Sequence, residues 1–277
     1  MERKGPKLLY TRFYDQVLTE IATGKVNDGI NLLVGMLDTV DINPGSLAQA
    51  KQELSGHSLA QMLMEDPLIA DAEARPNDST KRIGMISSAA ANGNISSTGR
   101  RLFEVTSELT FARALRQRRK SFDLKFSRAW QLGQKICVLT NGGTDATCQI
   151  SDTDFSKAKV IDIADAQRGI PRAADNTADF DLVLAPDLFD QTIEPVLSNI
   201  LKIAAASLRT NGSIIVAALL PHHLGAGWRS ACLNWNPQCH DEAALARIAG
   251  SAGLNMLTYR DESDCIVWGE FGANHGN

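Results

Sequence analysis

Several things are scarce in this sequence, and each scarcity excludes a class of protein. Aromatic residues make up only 6% of the chain and the formal net charge is −4, so neither base stacking nor a basic surface indicates a nucleic-acid partner. No apolar run approaches the roughly 20 residues of a membrane-spanning helix, and Met1–Pro6 lacks the apolar stretch of a signal peptide. The sequence therefore predicts a cytoplasmic protein with no membrane span and no nucleic-acid partner.

Cysteine and metal-ligand patterns are equally sparse. The five cysteines are an odd number, and none belongs to a Cys-x-x-Cys pair, which argues against a disulfide framework. The histidines do not follow the His-Glu-x-x-His spacing or any compact zinc pattern. No metal site is predicted.

The first part of the chain has a helical pattern. A length of 277 residues with 44% hydrophobic content favours one large domain, or a core with a smaller cap. Apolar residues at helical spacing predict helices over Leu8–Thr23 and Val26–Asp38, and helix formers dominate Thr98–Leu132. Arg75–Ser97, rich in Gly, Asn and Ser, is predicted to be an irregular loop. We therefore expect a helical N-terminal cap region over residues 1–132.

The second part alternates between strands and helices. Buried strands are predicted at Lys135–Thr140, Lys159–Ala164, Asp181–Ala185 and Ser213–Leu219, and an amphipathic helix starts at Glu194. Such alternation indicates a parallel sheet covered on both faces. The predicted fold class is α/β: a Rossmann-like, mostly parallel sheet with helices on both faces and an antiparallel C-terminal edge hairpin, over residues 133–277.

Ligands on such sheets bind at the carboxyl ends of the strands, and two groups of residues follow the first two strands. Asn141, Gly142, Gly143 and Thr144 form a turn where backbone amides can approach a nucleotide, although the turn matches neither Gly-x-Gly-x-x-Gly nor a Walker loop. An ordinary strand–helix turn explains it equally well. Asp165, or in second place Asp162, is predicted to accept hydrogen bonds from ribose hydroxyls, with a helix cap as the alternative.

Three further groups are candidates for chemistry. Pro186 and Asp187 end the third predicted strand beside the expected crevice, whereas an N-cap suits the nearby Asp190 at least as well. His222 and His240 are candidate general bases, unless they are surface histidines without a role. Arg116 and Arg119, three residues apart on one helix face, are suited to holding a carboxylate or phosphate; a solvated helix face is the commoner explanation.

Taken together, several of these segments resemble a known family. The chain is similar to the bacterial extracellular-factor 3-hydroxypalmitic acid methyl ester biosynthesis proteins, a branch of the class I S-adenosylmethionine-dependent methyltransferases. No single motif decides this, but their order and spacing are specific. The resemblance covers most of the chain and is carried by Gly56–Pro67, Arg116–Arg119, Phe180–Asp190, Leu233–Trp235 and Asp241–Ala243.

The resemblance implies a cofactor and a reaction. It implies S-adenosylmethionine at Asn141–Thr144, with the ribose near Asp162 or Asp165. The reaction would be methyl transfer to a small acidic or lipid-like substrate, such as the carboxylate of a hydroxylated fatty acid. The candidate substrate-binding residues are Arg116, Arg119 and Trp235, and the assembly would be either a homodimer or a pairing with a paralogue.

Departures from the family pattern support a second hypothesis. The family's Arg-Gly-Tyr-Ala-Gly-Asp segment is replaced here by Asn77–Met85, which lacks the tyrosine and the final acid. Only about 16 residues separate the second strand from Phe180, whereas a full helix and a further strand normally occupy that interval, and a crossover connection alone needs a dozen or more. The alternative is a degenerate methyltransferase fold that serves as a non-catalytic binding or partner subunit.

Overall fold

The structure, a computed structural model, describes residues 9–76, 78–91, 93–140, 158–162 and 180–273. The chain forms two units. The helical unit joins Met1–Arg113 with His222–Asn236, and the sheet unit joins Ala114–Pro221 with Pro237–Asn277. The division predicted at residues 132 and 133 stays a prediction.

The described helices include those expected from the apolar spacing near the N-terminus. The described α-helices are α1 (Thr11–Ala22), α2 (Val26–Asp41), α3 (Pro44–Ser55), α4 (Ser58–Leu63), α5 (Pro67–Ala74), α6 (Thr80–Ser88), α7 (Ser97–Thr106), α8 (Thr110–Gln131), α9 (Glu194–Ala206), α10 (Ala226–Cys232) and α11 (Glu242–Ala252).

The described strands form one mixed sheet in the order β2-β1-β3-β4-β6-β5. The first four strands in this order are parallel, and β6 is antiparallel to both β4 and β5. The predicted C-terminal hairpin is therefore confirmed, with β5 at the edge. The strands are β1 (Ile136–Thr140), β2 (Lys159–Asp162), β3 (Phe180–Ala185), β4 (Leu208–Leu219), β5 (Leu254–Arg260) and β6 (Ile266–Ala273).

Helices cover both faces of the sheet, as predicted. On one face, α9 and α11 bury leucines and isoleucines such as Leu197, Leu201 and Ile248 in a continuous apolar core. On the other face, α8 places Phe122 against Trp268, with ring centroids 5.0 Å apart. A strand buried on both faces needs an apolar residue at nearly every position, which explains the unbroken burial of β1.

One detail of the helical prediction was wrong, and a second was coarser than the structure. Arg75–Ser97 was predicted to be irregular, yet it contains α6, which ends where Ala89 adopts a left-handed conformation with φ of 48°. The stretch Thr98–Leu132, predicted only to be dominated by helix formers, consists of two helices: α7 ends at Thr106 and α8 begins at Thr110. Composition does not reveal so short a break, because helix-forming residues lie on both sides of it.

The segment Gly56–Pro67, which contributes to the family resemblance, contains the whole of α4 and the first residue of α5, together with the N-cap residue of each helix. His57 caps α4, since its Nδ1 accepts a hydrogen bond from the amide of Leu59 at 3.1 Å. Asp66 caps α5 through the amide of Leu68 at 2.9 Å and also accepts from the Thr106 hydroxyl at 2.6 Å. These contacts give the segment a structural role.

Helix α10 lies very close to the end of α2 within the helical unit. The carboxylate of Asp38 accepts hydrogen bonds from the amides of Gly225 at 2.7 Å and Gly227 at 2.9 Å. A Cβ atom on Gly227 would lie 2.2 Å from the carbonyl oxygen of Leu37. Only glycine fits there, because the opposing atoms belong to backbone.

We expect Gly227→Ala to destabilise the protein by about 3 kcal/mol, because the added methyl group pushes α10 away from α2. Urea unfolding followed by circular dichroism measures the change. Gly35→Ala is the matched control: it lies within α2, and its Cβ would meet nothing within 4 Å, so helix propensity should make it neutral or stabilising. Equal stability of the two variants would contradict the close approach.

A second prediction concerns pH. Burial raises the pKa of Asp66 from 3.8 to about 6, and the hydrogen bonds from Thr106 and Leu68 offset this only in part. The folded state therefore holds the proton more tightly than the unfolded chain. The resulting stabilisation is fully present below about pH 4 and is lost as the pH rises to about 6, a change of up to about 3 kcal/mol.

Asp66→Asn should remove this pH dependence, because an amide does not titrate. Urea unfolding at several pH values between 4 and 7 tests this, with exposed Asp28→Asn on α2 as the control that keeps the wild-type slope. A slope unchanged in Asp66→Asn would show that this carboxyl group is not the one that titrates.

Candidate functional site

The sheet has a topological switch point between β1 and β3. From β1 the chain moves outward to β2, and β3 then lies on the other side of β1. In open α/β sheets a ligand crevice lies at such a point, outside the carboxyl ends of the strands. The residues that end these strands are Thr140, Asp162 and Ala185.

Thr140 and Asp162 lie side by side at this edge. They are register partners in the parallel pairing of β1 and β2, so their side chains leave the same face of the sheet. Thr140 is 3% exposed, and its hydroxyl oxygen has no hydrogen-bond partner among the described residues. A buried unpaired hydroxyl is costly, which makes this position a candidate ligand contact.

Beyond the end of β3, one arginine holds two carboxylates. Arg118 on α8 donates from Nη2 to Asp187 Oδ1 at 3.0 Å and from Nη1 to Asp190 Oδ2 at 2.5 Å. The side chains of Arg118 and Asp190 are 6% and 4% exposed. The loop after β3 is therefore fixed to α8 by a largely buried, charge-assisted network.

The charges in this network affect one another. Burial alone disfavours the charged guanidinium, but the carboxylates of Asp190 and Asp187 outweigh this effect and raise the pKa of Arg118 above its ordinary value. Burial also raises the pKa of Asp187, and the positive charge of Arg118 offsets this only in part. One arginine therefore pairs with two carboxylates. Of these, Asp187 is more easily protonated than an ordinary aspartate, because its pKa is raised.

The same loop is attached to the end of β4. Asp190 Oδ1 accepts a hydrogen bond from the amide of Leu219 at 2.8 Å. The imidazole of His240 lies with Nε2 3.0 Å from the carbonyl oxygen of Phe189, while its own amide donates to Leu219. His240 is buried, and its Nδ1 has no hydrogen-bond partner in the described part of the chain. If Nε2 carries the proton, Nδ1 presents a buried lone pair.

Only some of the predicted cofactor-binding residues belong to the part of the chain that the structure describes. Asn141, Gly142, Gly143, Thr144 and Asp165 lie outside the described residues. The others lie at the carboxyl edge: Asp162 ends β2, and Pro186 and Asp187 directly follow β3.

The predicted substrate-binding and catalytic residues belong to both units. Arg116 and Arg119 are half-buried on α8, and the positive charge of Arg119 acts on Asp187. In the helical unit, His222 is exposed, whereas Trp235 is buried under the guanidinium of Arg229 at 5.6 Å from its ring centroid. Their assignment to catalysis and to substrate binding stays a prediction.

Sequence reasoning missed three residues at this edge. Arg118 was passed over in favour of its neighbours, and Asp190 was left open between a helix cap and a role in chemistry, whereas α9 has no side-chain cap. Thr140 is the last residue of an apolar strand. The available signal for Thr140 was a lone hydroxyl at the carboxyl end of a buried strand.

Two kinds of feature are absent from the described residues. No group of three or more His, Cys, Asp and Glu side chains there is placed to hold a metal ion. No described helix combines the length and the apolar character needed to cross a membrane.

Comparisons with known proteins give only distant structural likeness. No family model and no curated protein matches the sequence. A possible exported protein from Bordetella parapertussis is 13% identical, with 85% of this chain and 96% of that chain covered and a TM-score of 0.49. An O-methyltransferase family protein from Burkholderia thailandensis is 12% identical over 76% of this chain and 72% of that chain, with a TM-score of 0.45.

A third solved structure is the magnesium protoporphyrin IX methyltransferase of Synechocystis PCC 6803 with bound S-adenosylmethionine. It is 13% identical, with 76% of this chain and 98% of that chain covered and a TM-score of 0.39. Likeness at these values supports no conclusion about this chain. The fold assignment rests on the sheet order and register described above.

We expect Arg118→Met to lower the free energy of unfolding by about 3 to 5 kcal/mol, because it leaves two buried carboxylates without their counterion. Urea unfolding measures the change, and exposed Arg128→Met on the same helix is the control. Adding Asp187→Asn and Asp190→Asn to Arg118→Met should recover part of the loss. A loss no larger than that of Arg128→Met would show that the network contributes little to stability.

Proposed function

We propose that this chain is an S-adenosylmethionine-dependent methyltransferase that acts on a small carboxylate or hydroxy-fatty-acid-like acceptor. The observation that carries the proposal is the buried hydroxyl of Thr140 at the switch point, which has no hydrogen-bond partner within the described residues and lies beside Asp162. The sheet order and the segment-by-segment resemblance of the sequence support the same assignment.

The residues at this edge fit a nucleoside cofactor. The Thr140 hydroxyl can donate one hydrogen bond and accept others, and Asp162 can accept hydrogen bonds from ribose hydroxyls. When bound, S-adenosylmethionine would supply a methyl group on a sulfonium centre, which makes the thioether a good leaving group. The protein would then contribute mainly by positioning the acceptor.

Arg118, Asp187 and Asp190 would keep the floor of the site rigid. Because Arg118 joins the loop after β3 to α8, and Asp190 joins the same loop to Leu219, the carboxyl ends of β3 and β4 move little relative to each other. A rigid floor preserves the alignment that an in-line displacement requires.

The acceptor would bind through charge. Arg119, whose positive charge acts on Asp187, is suited to orienting an acceptor carboxylate, with Arg116 as its partner one turn away. A carboxylate needs no general base, because it carries no proton at neutral pH. For a hydroxyl acceptor, the buried Nδ1 of His240 is the base that the site offers.

Isothermal titration with S-adenosylmethionine tests the proposal, and Thr140→Val sharpens the test. The variant keeps the shape but removes the hydroxyl, so we expect an affinity about tenfold weaker, while the protein without ligand becomes no less stable. Thr258→Val on β5, far from the switch point in the sheet order, should bind as wild type does.

The outcomes separate the two hypotheses. Absence of binding at millimolar S-adenosylmethionine by a folded chain would refute the proposal and favour a non-catalytic partner subunit. If Thr140→Val binds S-adenosylmethionine as strongly as the wild-type chain does, the proposal loses its structural basis.

A further inference from the structure

Strand β5 forms one edge of the sheet, and its outer side has no strand partner among the described strands. Natural edge strands are usually protected from further pairing by lysine, proline, a bulge or a very short length. β5 has seven residues, contains neither lysine nor proline, and pairs with β6 in a regular register along its whole length. This edge therefore lacks the usual protection against the addition of another strand.

The hydrogen-bond pattern identifies the backbone groups of β5 that point outward. The amide of Asp261 donates to the carbonyl oxygen of Ile266 at 3.0 Å, directly beyond the register pair of Arg260 and Val267. Hydrogen-bonded and non-hydrogen-bonded pairs alternate along an antiparallel ladder, so the odd-numbered residues of β5 bond to β6. The N–H and C=O groups of the even-numbered residues point away from β6, and these residues are Leu254, Met256, Thr258 and Arg260.

Two large side chains with mostly apolar surface are exposed on this strand. Leu257 is 62% exposed and Tyr259 is 40% exposed. The ring of Tyr259 lies parallel to that of Trp268, with centroids 6.2 Å apart and an angle of 6° between the planes, so its position at the edge is fixed by stacking. Alternate residues of a strand share one face. Leu257 and Tyr259 therefore form an apolar strip along the edge.

We propose that β5 is the contact surface of a homodimer, in which the β5 strands of two copies pair antiparallel and join the two sheets into one. The two-fold axis passes through Leu257, the middle residue of Leu254–Arg260. This register uses all seven residues of both strands. The outward backbone groups of Met256 then bond to those of Thr258 in the other copy, and those of Leu254 bond to those of Arg260.

The side chains complement one another in this register. Leu257 lies opposite Leu257 of the other copy, and Asn255 lies opposite Tyr259. Both are non-hydrogen-bonded pairs, in which facing side chains come closest. Removing Leu257 from water in both copies stabilises the pairing, because its apolar surface is largely exposed in the single chain.

The charges near the two ends of the strand favour a second copy of this chain as the partner. Helix α11 ends at Ala252 and has no basic residue in its last turn, although the carbonyl end of a helix attracts positive charge. Leu254, two residues further on, lies opposite Arg260 of the other copy. The side chain of Arg260 is on the face that α11 covers, since it pairs with Glu242 at the start of that helix. Each copy thus brings an arginine towards the end of α11 in the other.

The inference does not depend on methyl transfer, because every residue that it uses belongs to the sheet unit. Sedimentation velocity of the full chain over increasing concentrations tests it, and we expect a reversible change from monomer to dimer. Leu257→Lys and Leu257→Asp each place like charges opposite one another, so each should weaken dimerisation about tenfold or more. Leu124→Lys on α8, where the leucine is 69% exposed, is the control that should dimerise as wild type does.

Mixing the two charged variants is the sharper test, because position 257 faces itself only across a two-fold axis. In the mixture, lysine of one copy lies opposite aspartate of the other. We expect a heterodimer at concentrations where each variant alone is monomeric. An affinity tag on one variant captures the other and measures the heterodimer.

Thr258→Pro tests the backbone contact independently. It removes an outward amide and leaves the hydrogen bonds to β6 in place, and proline is tolerated on an edge strand. We expect this variant to be folded and monomeric. In the wild-type chain, the amides of Met256 and Thr258 should exchange hydrogen more slowly as dimer forms, whereas Leu257→Lys should abolish this protection of Met256.

Three results would overturn the proposal. They are a wild-type chain that stays monomeric at millimolar concentration, a dimer of wild-type affinity in folded Leu257→Lys and Leu257→Asp, and a mixture of these variants that forms no heterodimer. Circular dichroism shows whether each variant is folded. If the charged variants do not fold, Leu257→Thr and Thr258→Pro take their place, and wild-type dimerisation in both would overturn it.

Discussion

The carboxyl edge of the sheet depends on a single guanidinium group placed between two carboxylates. Arg118 reaches from α8 to Asp187 and Asp190, and Asp190 in turn accepts a hydrogen bond from the end of β4. In a poorly solvated environment such a network tolerates little displacement, since moving any member leaves a charge unpaired. The loop after β3 is therefore held where a ligand crevice requires a fixed wall.

Much of the fold could be predicted from the sequence, because two periodicities dominate it. β1 and β3 are short apolar runs that suit strands buried on both faces, and α1 and α2 repeat apolar residues at helical spacing. What escaped prediction depends on contacts that are distant in sequence. The early start of β4, for example, involves Asn211 with φ of 66° and a shift of register against β3, which no local pattern reveals.

The site was harder to predict than the fold, for an electrostatic reason. Arg116, Arg118 and Arg119 look alike in sequence, and the usual reasoning chose the two that are spaced for one helix face. The structure buries Arg118, because the loop after β3 presents two acids there. The positions of Asp187 and Asp162 at the ends of strands, by contrast, could be predicted from apolar runs, although Asp162 was the second choice after Asp165; their role toward a ligand stays a prediction.

The helical unit is assembled from two stretches that lie far apart in the chain, and this has a consequence for biosynthesis. Helix α10 rests against Leu37 and Asp38, yet more than a hundred residues of the sheet unit are translated between them. While the ribosome is still making those residues, α2 has an uncovered surface where α10 will dock. Contacts of such large sequence separation form late, so the nascent chain exposes this surface until Asn236 has left the exit tunnel.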